Sequence, residues 1–595
     1  MDAATPAQLS FKGRIWRAPD NLGEYSETNG IPPVLQRLLV QRSISSESFE
    51  DFLESKLSQI PDPALLKNCH FAAQKIIKAV KANLRIIVYG DFDVDGTSST
   101  TILLHFLEFL KKSNLGSPSL GYYIPDRFAE GYGLNKKAID IFAKDEVGLI
   151  ITVDCGVSNL AEIDYADSKG IDVIVLDHHK VSNPIDSKYT IINPQQPGCE
   201  YPFKEICAAG VTFLVLLELR RVLRSESFFS PGSEPDLRIY LDFVGLATVA
   251  DVMPLKDINR IFVKNGLKRI RRSSNTGLSA LIQTADLSPE KISSSDFGFA
   301  LGPRINACGR IEHAKLAVEL FRESDFREAL KKADYLSELN RERQDYQRKI
   351  EKEIKSLVDG LSKMPSAIVL SNPEWHQGIL GIVAGKIREY SNRPVILLTE
   401  QEGEKLKGSG RSVPGFDLFQ SLSKVKEFFN SFGGHSMACG MSLDKSNLSL
   451  LREHLEKDFQ SQFLDKGWFP EFRVDCLADS SFYSAEFHNL ISKLEPFGNA
   501  NPRPVLLSTD MKLMDLRFIG KDNKHLKTKF LFSDENSKIP ANAVAFGFGD
   551  FVKDLKIGDF YDVLWKIEIN SFRGSDYLQM NIVDLRDASG EKSEN

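Results

Sequence analysis

At 595 residues the chain exceeds what one hydrophobic core organises, and implies roughly three or four domains. Its 42% apolar, 26% charged and 10% aromatic residues exclude the collagen-like and disordered classes. A net charge of -6 removes any global electrostatic case for nucleic-acid binding, which would have to rest on local basic grooves or on bound cations. Seven scattered cysteines without a Cys-x-x-Cys fit a reducing compartment and argue against zinc ribbons. Residues Met1 to Ser10 lack a basic region followed by an apolar core, and no run approaches 18 apolar residues, so the expectation is a soluble cytoplasmic protein with no membrane partner.

The first 60 residues mix Pro, Ser and Glu with an apolar-periodic piece, Val34 to Val40, and read as a helical lead-in. From Ile86 onward the pattern becomes apolar strand, acidic or glycine-bearing tip, then helix. Arg85 to Tyr89 leads into Gly90-Asp91-Phe92-Asp93-Val94-Asp95-Gly96, and Leu149 to Val153 into Asp154-Cys155-Gly156. After a helical Asn159 to Lys169, the run Val173 to Leu176 ends on Asp177-His178-His179. This alternation predicts a parallel sheet. Residues 222–237 read as a surface insertion, Phe243 to Val252 as a buried apolar run, and Arg322 to Lys355 as a long charged connecting helix. An α/β pattern restarts at Ala367 and runs to Phe459, with glycine-rich turns at 408–410 and 433–434. Short alternating strands after Asp465 predict a small β-barrel.

Three strand tips present metal-ligand chemistry, and Asp251, after the apolar run Phe243 to Ala250, is a fourth candidate. Side chains alternate along an extended chain, so Asp91, Asp93 and Asp95 would face one way. Carboxylates forced together raise one another's pKa unless a cation neutralises them. Carboxylates with one or two imidazoles suit Mn²⁺ or Mg²⁺ better than structural Zn²⁺. Two such ions activate water for in-line phosphoester hydrolysis. Taken singly, Asp93 to Gly96 reads as a turn and Asp154-Cys155-Gly156 as a helix cap; four acidic tips together favour the metal reading. Asp91 to Gly96 also opens like an EF-hand loop, but the twelfth position, which must be Glu, is Ile102.

Asp91 to Gly96, Val153 to Gly156, Asp177 to His179 and Ala250-Asp251 resemble successive motifs of the DHH phosphoesterase superfamily. Pro125 to Leu134, Gly302 to Ala307, Ser409 to Ser412 and Gly433-Gly434-His435 narrow the resemblance to its RecJ family of single-stranded-DNA-specific 5′-to-3′ exonucleases. The resemblance implies two Mn²⁺ or Mg²⁺ ions held by Asp93, Asp95, Asp154, His178, His179 and Asp251. Asp154 would bridge them, and Asp91 and Asp177 would stand behind as orienting acids. His179 is open between ion ligand and substrate contact. The same resemblance gives Arg127, Ser409 and Arg411 to a 5′-phosphate, and Arg304, Asn306, Gly434 and His435 to the DNA strand.

Residues 511–530 hold six Lys or Arg against two Asp, interleaved with Phe518 and Phe530. Such a basic, aromatic-bearing face suits single strands, with Lys521, Lys524 and Lys527 as contacts. Lys268, Arg269, Arg271 and Arg272 form a second basic cluster without a role. The expected division is a lead-in over 1–60, a DHH domain over 61–320, a connecting helix over 321–362, a DHH-associated α/β domain over 363–464 and an OB-like barrel over 465–595. The family further implies a monomer, a cleft between the α/β halves too narrow for duplex, mononucleotide release, and a helicase and a single-strand-binding protein as partners in DNA repair and recombination. The alternatives are a small-substrate DHH hydrolase of the same fold and a catalytically dead DNA-binding scaffold, the latter requiring broken metal motifs.

Overall fold

The computed structural model describes residues 9–17, 30–181, 184–273, 275–463, 471–520, 523–534, 537–572 and 575–588. The chain divides into two compact units. One comprises residues 54–353 with 496–501, the other residues 1–53, 354–495 and 502–595.

The first unit is built on five parallel strands, β1 (Arg85–Gly90), β2 (Ser119–Tyr123), β3 (Val147–Val153), β4 (Asp172–Leu176) and β5 (Thr190–Ile192), in the order β2-β1-β3-β4-β5. Their apolar runs are nearly continuous because both faces are covered. Ile86, Val88, Ile151, Ile174 and Leu176 enter one core, and the alternating Ile87, Tyr89, Ile150, Val173 and Val175 enter a second. The helices that concern the site are α1 (Val94–Lys112), α2 (Leu160–Ser168), α3 (Ala208–Ser225), α4 (Leu241–Ala250), α5 (Asp257–Ile270), α6 (Gly302–Ile311) and α7 (Phe326–Asp359). α2 lies where the sequence places it, with Asn159 and Lys169 as its caps. The long charged helix is α7, starting four residues later than expected.

One expectation fails here. The surface insertion begins after Ser225, because Val222 and Leu223 are still buried in the last turns of α3. The apolar run before Asp251 is buried as expected and is helix α4, with Leu241 to Thr248 enclosed and Val249 and Ala250 half-buried, which is why the run shows no amphipathic pattern.

In the second unit, β6 (Ile368–Ser371), α8 (Leu380–Ser391), β7 (Val395–Gln401), β8 (Lys405–Arg411), β9 (Phe429–His435), β10 (Ala438–Asp444) and α9 (Leu448–Phe463) build a mixed sheet of order β9-β10-β8-β7-β6. The glycine segments 408–410 and 433–434 lie inside paired strands, not turns. Glycine is needed for close approach: a Cβ on Gly408 would stand 2.0 Å from the Leu397 carbonyl oxygen. Five further strands, β11 (Leu506–Ile519), β12 (His525–Asp534), β13 (Ser537–Ala545), β14 (Phe560–Phe572) and β15 (Ser575–Asp587), close through the β11–β14 pairing into the expected barrel. The described part of the lead-in is not helical throughout. Ile15–Arg17 is a strand parallel to Glu471–Arg473, and the helix Pro33–Gln41 ends with Gln41 Nε2 donating to Asp475 O.

Replacing Gly408 by alanine should lower the stability of this unit by about 1–3 kcal/mol through overpacking, read as a fall in the urea midpoint; an unchanged midpoint would mean that β7 does not press on this position.

Candidate metal centre

β1, β3 and β4 end in register, Gly90 beside Val153 and Val153 beside Leu176, so Asp91, Asp154 and Asp177 leave three adjacent strands at one edge. The chain passes from β1 to β2 on one side and returns to β3 on the other. That reversal of strand order opens a crevice at the carboxyl ends, where open α/β sheets bind ligands.

The three acids after β1 do not share a face by strand alternation. The strand stops at Gly90, and α1 starts at Val94. Asp93 is the N-cap, its Oδ1 accepting from Asp95 N at 2.8 Å and Gly96 N at 3.1 Å, and Asp95 lies inside the first helical turn. The turn reading of Asp93 to Gly96 is therefore part of the structure, and the cap leaves the other Asp93 oxygen available. Gly96 is required because a Cβ there would sit 2.5 Å from Asp91 O. Asp95 points to the start of α3, accepting from Ala208 N at 2.6 Å and Ala209 N at 2.8 Å, where the helix dipole favours a negative charge.

Asp154 has φ +64, a conformation rare outside glycine and characteristic of strained functional positions. It is not a helix cap, since α2 is capped by Asn159. Asp251 caps the C-terminus of α4.

These groups converge on His178. Its Nε2 lies 3.2 Å from Asp154 Oδ1, 3.6 Å from Asp251 Oδ2 and 3.7 Å from Asp95 Oδ2. Donor sets close enough for one ion are Asp91, Asp93 and Asp154; Asp95, His178 and Asp251; and Asp154, His178 and His179, each set with its ligand atoms within 4.8 Å of one another. Asp154 and His178 recur, as shared ligands of neighbouring ions would. Asp91 enters as a possible direct donor, closer than the orienting place expected from the sequence.

Burial and then mutual repulsion push Asp91, Asp154 and Asp251 well above the usual carboxylate range, and Asp95 to about 7. Asp91 Oδ1, Asp154 Oδ1 and Asp251 Oδ2 are buried without a hydrogen-bond partner. Buried oxygens with neither donor nor solvent are costly, and a multiply charged cation resolves both deficits. The donor set of carboxylates and imidazole thus fits Mn²⁺ or Mg²⁺.

Asp177 behaves differently. It is buried but accepts from Val157 N at 3.0 Å, His178 N at 2.7 Å, His179 N at 3.1 Å and His179 Nδ1 at 2.8 Å. Burial alone would raise it; the hydrogen bond and charge of His179 hold it at about 2. Conversely, burial would lower His179, but the hydrogen bond and charge of Asp177 raise it to about 9. His178 falls to about 4 through burial and the neighbouring His179.

Several supports were not read from the sequence. Gln195 Nε2 donates to His178 O, and Asn193 Nδ2 donates to His179 O at 2.9 Å, so the loop after β5 holds the histidine backbone. β5 is only three residues long, too short for a periodic signal. Tyr132 donates its OH to Asp154 O at 2.9 Å. Asn306 Oδ1 accepts from Val94 N at 3.0 Å and so caps α1, while Arg304 donates to Ser337 Oγ and Ala300 O. Arg127 lies 4.6 Å above the Phe92 ring.

In the second unit, Arg411 Nη1 donates to Ser409 Oγ at 2.8 Å. Arg411 of β8 and His435 of β9 both pair with Ala438 of β10, which brings the Ser409-Gly410-Arg411 and Gly433-Gly434-His435 motifs to one end of the sheet. On the barrel, Lys524 and Lys527 are exposed, and Lys527 pairs with Arg517. Lys521 lies outside the described residues. Phe530 is not part of that face: it points into the barrel core, whereas Phe518 is exposed.

Comparison with known proteins agrees with this architecture. Residues 85–244 match the DHH family N-terminal domain, 364–461 the DHHA1 domain and 474–584 the RecJ OB domain. The single-stranded-DNA-specific exonuclease RecJ of Bacillus subtilis is 34% identical over 95% of this chain and 69% of its own length. That of Escherichia coli K12 is 33% identical over 93% of this chain and 96% of its own length. The chain belongs to the RecJ family. Among solved structures, Thermus thermophilus RecJ in complex with Mn²⁺ superposes with a TM-score of 0.79 at 26% identity, covering 98% of this chain and 80% of that one. RecJ from the same organism with Mg²⁺ gives 0.71 at 25%, covering 97% and 79%. No described helix is long and apolar enough to cross a membrane.

A carboxyl raised in the fold binds its proton more tightly than in the unfolded chain. In metal-free protein the stabilising contribution of these carboxyls is therefore fully present below about pH 4 and is lost as pH rises through the raised values, about 7 for Asp95. Mn²⁺ offsets that loss, so the rise in Tm on adding Mn²⁺ to chelator-treated protein should be larger at pH 8 than at pH 5; equal rises would argue against the acid cluster as the ion site.

Proposed function

We propose that the chain is a metal-dependent, single-stranded-DNA-specific 5′-to-3′ exonuclease that releases 5′-mononucleotides and works in DNA repair and recombination. The observation that carries the reading is the cluster of buried Asp91, Asp95, Asp154 and His178 with half-buried Asp93 and Asp251, in a chain that matches named RecJ exonucleases over nearly its whole length. Asp93, Asp95, Asp154, His178, His179 and Asp251 hold two Mn²⁺ or Mg²⁺ ions, with Asp91 beside them. Bound there, the ions supply Lewis acidity and lower the pKa of a coordinated water.

The remaining steps fall to side chains of the chain. Asp177 accepts from His179 Nδ1 at 2.8 Å and fixes the ring, so that Nε2 serves as an ion ligand or, in place of that, contacts a phosphoryl oxygen that becomes more negative during displacement. Arg127, Ser409 and Arg411 hold the terminal 5′-phosphate, the guanidinium fork matching phosphate geometry. This fixes which end enters and hence polarity. Arg304, Asn306, Gly434 and His435 contact the strand, although Asn306 also caps α1. Lys521, Lys524 and Lys527 hold it on the barrel, whose exposed Phe518 suits base stacking. The five-part division expected from the sequence, from the lead-in to the barrel, is kept as the functional division, in a monomer of the cytoplasm that meets a helicase and a single-strand-binding protein.

Asp154→Ala and His178→Ala should each lower the rate on 5′-phosphorylated single strands at least about a thousandfold with folding retained by circular dichroism. End-labelled strands blocked at either terminus test polarity: a 5′ block should stop digestion and a 3′ block should not, and equal digestion would sink the proposed direction. Arg411→Ala should raise KM and erase the preference for a 5′-phosphate, checked by comparing phosphorylated and hydroxyl-ended strands.

A further inference from the structure

Two of the most exposed large apolar side chains among the described residues, Phe299 at 86% and Val252 at 65%, lie on segments that pack together beside Asp251. Phe299 stands in a π-helical turn, Phe297–Leu301, directly before α6. The wide turn has a local cause. Pro303 has no N–H for the Phe299 carbonyl four residues back, and its ring crowds that oxygen, so Gly302 N donates instead to Phe297 O. Phe297 and Leu301 are buried and anchor the turn, and Ser293 N and Oγ both donate to Asp296 Oδ2 at 2.8 Å at its start. The extra residue of the turn thrusts Phe299 outward on a rigid base. Such π-turns cluster at functional sites.

The turn is seated on the metal centre. A Cβ on Gly302 would lie 3.5 Å from Ala250 Cβ and 3.9 Å from Val94 Cγ2, the neighbours of Asp251 and of Asp93 and Asp95. Val252 has φ +55, a genuine outlier for a β-branched residue, and Asn499 Nδ2 holds its carbonyl at 2.7 Å. A protein that spends backbone strain to present one apolar side chain, and a π-turn to present an aromatic one, beside the same carboxylate has built a surface for an apolar ligand face. With single-stranded DNA as substrate, that face is a nucleobase.

We propose that Phe299, flanked by Val252, is a stacking platform for a nucleobase of the bound strand and sets how the strand is held at the metal centre. The proposal rests on the single-stranded-DNA reading above. Base stacking on an aromatic ring is sequence-tolerant and, at typical strength, corresponds to about tenfold or more in affinity. Because the ring is exposed, Phe299→Ala leaves the fold intact.

The test is steady-state kinetics of wild type, Phe299→Ala and Phe299→Trp on 5′-phosphorylated strands, each strand carrying one abasic residue at a successive position from the 5′ end. Phe299→Ala should raise KM about tenfold on intact DNA with kcat within about twofold, and Phe299→Trp should restore it. One abasic position should penalise wild type by a similar factor and add nothing in Phe299→Ala. KM unchanged in Phe299→Ala, no rescue by Trp, or equal abasic penalties in both proteins at every position would each overturn the platform. A wild type that leaves single strands intact overturns the function reading itself, so the two failures are distinguishable.

Discussion

Electrostatic crowding governs the catalytic unit. Asp91, Asp95 and Asp154 are buried, Asp251 is half-buried, and three of these carboxylates approach His178 Nε2 within 3.7 Å. No arrangement of neutral hydrogen bonds satisfies such a set, and three of its oxygens have no hydrogen-bond partner. Without a cation the acids must keep protons at pH values where carboxyls ordinarily lose them. The surrounding fold can be understood as the means of bringing these charges together while limiting what their repulsion costs.

The limits are local and specific. The start of α3 receives Asp95, and the start of α1 is capped by Asp93. Asp177, at the same sheet edge, is removed from the crowd by four hydrogen bonds and passes its influence to His179. Those bonds hold it below the usual carboxylate range without a metal. The histidine loop is fixed by its carbonyls as well as its rings, through Asn193 and Gln195. Asn306, more than two hundred residues from Val94, closes the N-terminus of α1 and so links a distant motif to the acid-bearing turn.

The second unit is organised by a different device. Gly408 and Gly434 lie in paired strands where neighbouring backbones press close, and the register of β8, β9 and β10 brings arginine, serine and histidine to one sheet end. The barrel alternates in the usual way: Leu526, Thr528 and Phe530 fill the interior while Lys527 and Lys529 face out. A negative net charge overall is therefore compatible with a local basic face.

The parallel sheet, the acidic tips, the charged α7 and the barrel were legible in the amino-acid sequence because each rests on local periodicity or on a residue type at a strand end. The donor residues could also be named, since carboxylates and histidines after apolar runs carry their chemistry with them. The sequence could not show how Asp91, Asp93 and Asp95 are presented, because a strand that breaks into a helix at Val94 differs from a continuing strand only in its tertiary partners, among them Asn306. Nor could it show that Phe243 to Ala250 is a helix, since a segment buried on every side has no amphipathic period. The glycines of β8 and β9, the inward turn of Phe530 and the clamp after β5 likewise depend on which backbone packs against which. Local chemistry determined what the site is made of; only tertiary packing decided how its charges meet.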